Sequence, residues 1–217
     1  MINQLPIYTI GDSHAKFTFS IDDSVHPRIK SIFWIGPITM HRVGRDTIKF
    51  TDHHVPKGGF VISCFGEIDT RCHIKRQCDM QRDEDEIIQT IVTNYINTLK
   101  LNRSDGYTHI AIMNIVPTLE YQFAKGDPLK TPLPTFGSGD LLQPYEGTVD
   151  ERKRYIKKIN KLLEEEAKTN GFYYLNIYDY YKNENDFLPI DMTDGGCHLE
   201  SFKYIDNALD DMFNSLN

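Results

Sequence analysis

Short, nearly unbroken apolar runs along this chain stop abruptly, and stretches with apolar residues three or four apart lie between them. A strand covered on both faces reads as a continuous apolar run, whereas a helix packed on one face repeats near 3.6 residues. Strands are therefore expected at 6–10, 31–35, 60–65, 109–116 and 172–178. A helix is expected over 83–99, where acidic residues lead and Ile87, Ile88, Ile91, Val92, Tyr95 and Leu99 keep helical spacing. A second is expected over 149–168, between a Thr148 cap and a Gly171 stop, and a third over 200–216, carrying Phe202, Ile205, Leu209 and Phe213 on one face. Strands interleaved with helices predict an α/β domain built on a mostly parallel sheet, and 217 residues suit one domain spanning 1–217.

Each expected strand ends in something chemically distinctive: Gly11-Asp12-Ser13-His14, Gly36-Pro37, Gly66-Glu67-Ile68-Asp69, Pro117-Thr118 and Asp179. Open α/β sheets bind their ligands at these carboxyl ends. The segment 117–147 has prolines, glycines and aromatics but no sustained period. A loop of that length is usually functional, and Tyr121, Phe123, Phe136 and Tyr145 suit an ordered substrate wall.

A tight turn after the first strand would present the Ser13 hydroxyl at the top of the sheet. A hydroxyl is a weak nucleophile near neutral pH and needs a base, for which histidine has the right ordinary pKa. Of eight histidines, His198 fits best, because Asp194-Gly195-Gly196-Cys197-His198 supplies a carboxylate and a flexible loop late in the chain. Cys197 is a rival nucleophile, and His198 could instead cap a helix start.

GDSH at 11–14, the glycine at Gly36, GEID at 66–69 and the late Asp194 and His198 together resemble the SGNH (GDSL-like) hydrolase superfamily, as a divergent branch with a GEIDxR third block. The resemblance implies a three-layer α/β/α sandwich around a flavodoxin-like, mostly parallel five-stranded sheet. It also implies a serine esterase with Ser13 as nucleophile, His198 as base and Asp194 as orienting carboxylate. The oxyanion would be held by the N–H groups of Ser13 and Gly36 and by a third-block asparagine. Here that position is Ile68, which has no side-chain donor. Arg71 is the first candidate substitute and Asn114 the second. Glu67, Asp69, Arg71 and His73 alternate after a strand, and a continuing extended conformation would send all four to one side. The carboxylate of the late motif usually lies three residues before the histidine, and here Asp194 lies four before it, so either the inserted glycine loops out and preserves the contact, or Asp191 or Asp194 binds elsewhere and a backbone carbonyl supports a Ser/His dyad.

The resulting expectation is removal of an acyl group, most simply acetyl, from a polar small-molecule or glycan ester, with no metal or organic cofactor. Acyl transfer to a sugar hydroxyl would use the same Ser/His pair. An inactive glycan-binding module is the alternative of a different class, and a flavodoxin-like nucleotide binder is disfavoured because only Gly11 lies in the first loop. Candidate substrate contacts are Asp12, His14, His41, Arg42, Glu67, Asp69 and Tyr145. Glu67, Asp69 and Arg71 have a competing reading as a structural ion-pair network, and His41, Arg42 and Arg45 as a solvated basic loop. His53 and His54 carry no assigned role.

A formal charge of −7 argues against a nucleic-acid partner. No run reaches the length of a membrane helix, and the first residues lack a basic-then-apolar leader, which predicts a soluble cytoplasmic protein. Four cysteines, Cys64, Cys72, Cys78 and Cys197, suit a reducing compartment, and their spacing with His73 is not that of a zinc site. Arg152-Lys153-Arg154 with Lys157 and Lys158, followed by Glu164 to Glu166, is expected to be a solvated helix face laced by local pairs. The oligomeric state is not fixed by the sequence.

Overall fold

The computed structural model describes residues 2–19, 28–120, 145–193, 197–199 and 204–215. Five parallel strands, β1 (Ile7–Gly11), β2 (Ile29–Trp34), β3 (Phe60–Cys64), β4 (His109–Met113) and β5 (Tyr173–Leu175), form one sheet in the order β2-β1-β3-β4-β5. β1 lies next to the middle of the sheet, with Gly11 aligned to Trp34 on one side and to Cys64 on the other. The first functional loop therefore opens beside the carboxyl ends of two neighbours.

Alternation along the strands feeds two cores. Ile10, Val61, Ile110 and Ile112 face one layer, made of α2 (Met40–Asp46), α4 (Glu84–Ser104) and α5 (Val149–Asn170). Ile7, Phe60, Ile62, Ala111 and Met113 face the other, made of α1 (Ser13–Phe19), α6 (Tyr178–Tyr181) and α7 (Ile205–Asn214). This is a three-layer α/β/α sandwich, as the family resemblance implies. No helix among the described residues is long and apolar enough to cross a membrane.

Helix boundaries follow capping chemistry. Asp83 accepts from Glu86 N at 2.9 Å to open α4, Thr148 and Glu151 form a reciprocal capping box on α5, and Gly171 ends α5 at φ 67°. Helix α4 runs past the expected Leu99 because Asn102, buried, accepts from Phe50 N at 2.7 Å and donates to Ile48 O at 2.9 Å. The fourth strand stops at Met113 rather than Val116, and the fifth spans only Tyr173–Leu175 before the chain turns into α6. Of the third expected helix, 205–214 is observed, and Phe202 lies outside the described residues.

Two local expectations are corrected. The segment after β3 is helical, a π-turn (Asp69–His73) running into α3 (Ile74–Asp79), not extended. Buried Ile68 and Cys72, four apart, supply its apolar side, and the period-two charge pattern is incidental. On α5 the basic run is not a locally paired face. Arg152 is buried, Arg154 and Lys158 reach Glu84 at 2.7 and 2.8 Å, and Lys157 reaches Asp186 at 2.5 Å. The cations pin α5 to α4 and to the 183–187 turn.

Candidate active site

Ser13 is the first residue of α1, immediately beyond the end of β1. Gly11 is required there because a Cβ would fall 2.2 Å from Cys64 O, so only a bare backbone lets β1 and β3 end this close together. The Ser13 hydroxyl meets His198 Nε2 at 2.9 Å across 185 positions of sequence. With Nε2 accepting from the hydroxyl, the ring proton sits on Nδ1. Both residues are half-buried.

The flanking residues are not open to substrate. Asp12 is fully buried and accepts from His14 N at 2.8 Å, and its carboxylate lies 3.4 Å from His14 Nδ1. His14 is also buried, and its Nε2 is 2.9 Å from the Cys197 carbonyl. Burial works against a charged His14, but its hydrogen bonds to Asp12 and Cys197 and the charges of Asp12 and Glu67 outweigh it, so its pKa lies well above the ordinary histidine value. An imidazolium donates from both nitrogens, which suits one carboxylate and one carbonyl. Asp12 and His14 are therefore a buried brace rather than the substrate contacts expected from sequence. The His14 and His198 rings lie 5.2 Å apart.

The third block has a different architecture from the one expected. Asp69 is fully buried and accepts from Met40 N at 2.6 Å and His41 N at 3.1 Å, so it ties the π-turn to the first turn of α2 and is not exposed to substrate. Thr39 caps the same helix by accepting from Arg42 N at 3.0 Å. Burial pushes the Asp69 carboxyl up to about 7 against the two N–H groups that favour its charge. Glu67 pairs with Arg71 at 3.1 Å, and both are buried. The buried Arg71 and Arg152 guanidiniums lie 5.3 and 5.1 Å from the centre of the Tyr145 ring, and the cavity they line with it is too small for a sugar, so Tyr145 is not a sugar-stacking surface. Glu67, Arg71, Tyr145, Arg152 and Cys197 surround a cavity of about 10 Å³, room for one water.

The remaining candidates separate. Asn114 donates to Asn176 Oδ1 at 2.8 Å and accepts from Ile177 N and Tyr178 N at 2.8 and 3.1 Å, so its amide is spent on joining β4 to α6 and is not an oxyanion donor. Arg71 is committed to Glu67 and Tyr145. Ile68 is buried at the third-block position. Gly36 adopts φ 94° with open space where a Cβ would stand, so the turn geometry, not crowding, demands glycine. The His41 ring packs 4.6 Å from that of His73, and Arg42 pairs with Asp46 at 3.1 Å, so their partners lie within α2 and the π-turn. Asp194 lies outside the described residues, as do 121–144 of the expected substrate loop, and Asp191 is exposed on a 3-10 turn.

Cys197 is buried beside this cluster. Burial and Glu67 hold its thiol pKa up, Arg71, His14 and His198 draw it down, and the balance falls below the ordinary thiol value. Donor atoms of His14, Glu67 and Cys197 lie within 4.8 Å of one another. A cation there would have to displace the His14–Cys197 hydrogen bond and compete with Arg71 for Glu67, so the donor set fits internal pairing better than a metal. The buried brace was not foreseen, and its one sequence signal was a histidine directly after the serine.

The chain has the fold of the SGNH (GDSL-like) hydrolases. It is similar to a GDSL-like lipase from Bacteroides thetaiotaomicron (13% identity, TM-score 0.58, covering 100% of this chain and 89% of that one). It is also similar to an acetyl-xylooligosaccharide esterase from Geobacillus (12%, 0.56, 98% and 93%) and an extracellular lipase from Streptomyces rimosus (12%, 0.50, 98% and 100%). No family model and no curated protein sequence matches the chain.

Proposed function

We propose that the protein is a serine esterase that removes an acyl group, acetyl in the simplest case, from a polar carbohydrate ester. The observation that carries this reading is the 2.9 Å contact between Ser13 Oγ and His198 Nε2 at the carboxyl end of the sheet. Ser13 Oγ attacks the ester carbonyl while its proton passes to His198. The tetrahedral oxyanion is held by the N–H groups of Ser13 and Gly36. As the intermediate collapses, the C–O bond to the sugar breaks and the departing oxygen takes the proton from His198. Water then attacks the acyl-enzyme, giving its proton to His198, which returns it to Ser13 as the carboxylic acid leaves. These steps call for no metal or organic cofactor.

The substrate class rests on the fold shared with the acetyl-xylooligosaccharide esterase. A fluorophosphonate probe tests the chemistry: stoichiometric labelling lost in Ser13→Ala supports it, and absence of labelling in the wild type overturns it. A second reading, a binding module without turnover, is favoured by the buried Ile68 where an oxyanion donor would stand, since losing one donor costs about a hundred- to a thousandfold in rate. The same labelling separates the two.

A further inference from the structure

Trp34 is the chain's single tryptophan, and 55% of its surface is exposed. Leaving that much of a large aromatic ring in water has a stability cost. It ends the edge strand β2, aligned with Gly11, two residues before Ser13 on one chain segment and two residues before Gly36 on its own. Side chains alternate along a strand. Phe33 turns to the α2/α4/α5 layer, where it meets Tyr8 edge-on at 6.3 Å, and Ile32 turns to the α1 layer, so Trp34 stands on the α1 side. The Lys16 ammonium, one turn along α1 from Ser13, lies 5.8 Å from the centre of the indole ring.

We infer that Trp34 is the stacking platform for a pyranose ring of the substrate, with the Lys16 ammonium, which lies over the indole ring at 5.8 Å from its centre, as a donor to the hydroxyls of a sugar seated beside it. The inference rests on the esterase reading and adds where the sugar sits. An indole offers a flat apolar face to the C–H side of a sugar, and an ammonium offers hydrogen bonds to its oxygens. The surroundings favour a polar ligand over an apolar interface. Lys30 and Ser31 are the exposed neighbours on β2, and the other exposed large apolar side chains among the described residues, Met80 and Leu101, lie at the end of α3 and on α4. An isolated aromatic in a polar setting is not a hydrophobic patch.

Because the chain has one tryptophan, its emission reports this site alone. The Ser13→Ala variant is titrated with acetylated xylo-oligosaccharide and with acetylated gluco-oligosaccharide, and a saturable change in emission with either is expected. In steady-state assays Trp34→Ala is expected to raise KM for the sugar ester about tenfold relative to its effect on 4-nitrophenyl acetate, with Trp34→Phe recovering part of the loss. Emission unmoved by both sugars, or equal effects on the two ester types, overturns the platform. So does an emission shift that follows protein concentration without sugar, which would mean that a second copy covers the β2 edge. If neither ester is turned over, the esterase reading falls and the titration alone decides the platform.

Discussion

His14 Nε2 meets the Cys197 carbonyl at 2.9 Å, and one residue away on each segment Ser13 Oγ meets His198 Nε2 at the same distance. Two consecutive residues of the late loop are thus clasped to two consecutive residues after β1. The inner clasp is buried, with the Asp12 carboxylate behind it, and the outer one is half-buried. This geometry leads us to expect that His14 acts as a positioning residue for His198.

Replacing His14 by Ala should lower kcat about 10- to 100-fold with little change in KM, because the base loses its register while the substrate surface is unaltered. His14→Gln keeps a donor for the Cys197 carbonyl and should recover part of that loss. Steady-state kinetics beside thermal unfolding checks this. A fall in stability with unchanged kcat, or no recovery with Gln, would limit His14 to a packing role.

Ser13 and His198 should behave as one unit. Each single Ala variant is expected to lose at least about a thousandfold in kcat, and the double variant to lose little more, since removing either member already abolishes proton-coupled attack. The measurement is a double-mutant cycle on a soluble acetate ester. Independent, multiplying losses would mean that the 2.9 Å contact is not the catalytic one. Cys197→Ala should keep the activity, which separates the serine from the neighbouring thiol.

The strands were legible in the sequence because apolar runs ending at glycine-led loops are a local pattern, whereas the pairing of Ser13 with His198, 185 residues apart, was approached through the resemblance of GDSH and the late histidine to a known family. The segment 67–73 reads as extended because Glu67, Asp69, Arg71 and His73 alternate like a strand, while the contacts that decide its helix are the buried Ile68 and Cys72 and the Glu67–Arg71 pair. Asp69 could not be read as the anchor of α2 because its two N–H partners lie 28 and 29 residues upstream. The brace at His14 was hidden by a partner 183 residues away, and Tyr145 by two arginines from different elements. Local periodicity states which face is buried, not which buried polar groups will meet.

Arg71 and Glu67 provide a test of how the floor of the site is held. Both are buried, so Arg71→Met should leave an unpaired carboxylate and destabilise the fold by about 3–5 kcal/mol in urea unfolding. Adding Glu67→Gln should restore much of that loss. A double variant as unstable as Arg71→Met alone would place the contribution of Arg71 in its stacking on Tyr145 instead.

Fully buried Asp69 and half-buried His73 should drive stability in opposite directions with pH. Burial, reinforced by the charges of His41, Arg76 and Arg82, holds His73 down to about 4. Between that value and the ordinary histidine pKa of about 6.5 the unfolded chain binds a proton that the folded chain refuses, so this residue makes the fold lose stability as pH falls through the window. Asp69 does the reverse. With its carboxyl raised to about 7, the folded chain keeps a proton that the unfolded chain releases near its ordinary value of 3.8, so its contribution is lost as pH rises from about 4 to 7. Melting temperatures compared at pH 4.5 and 6.5 should therefore show His73→Gln gaining on the wild type at the acidic end and Asp69→Asn gaining at the neutral end. Variants whose difference from wild type is the same at both pH values would show that neither group titrates between them in the folded state.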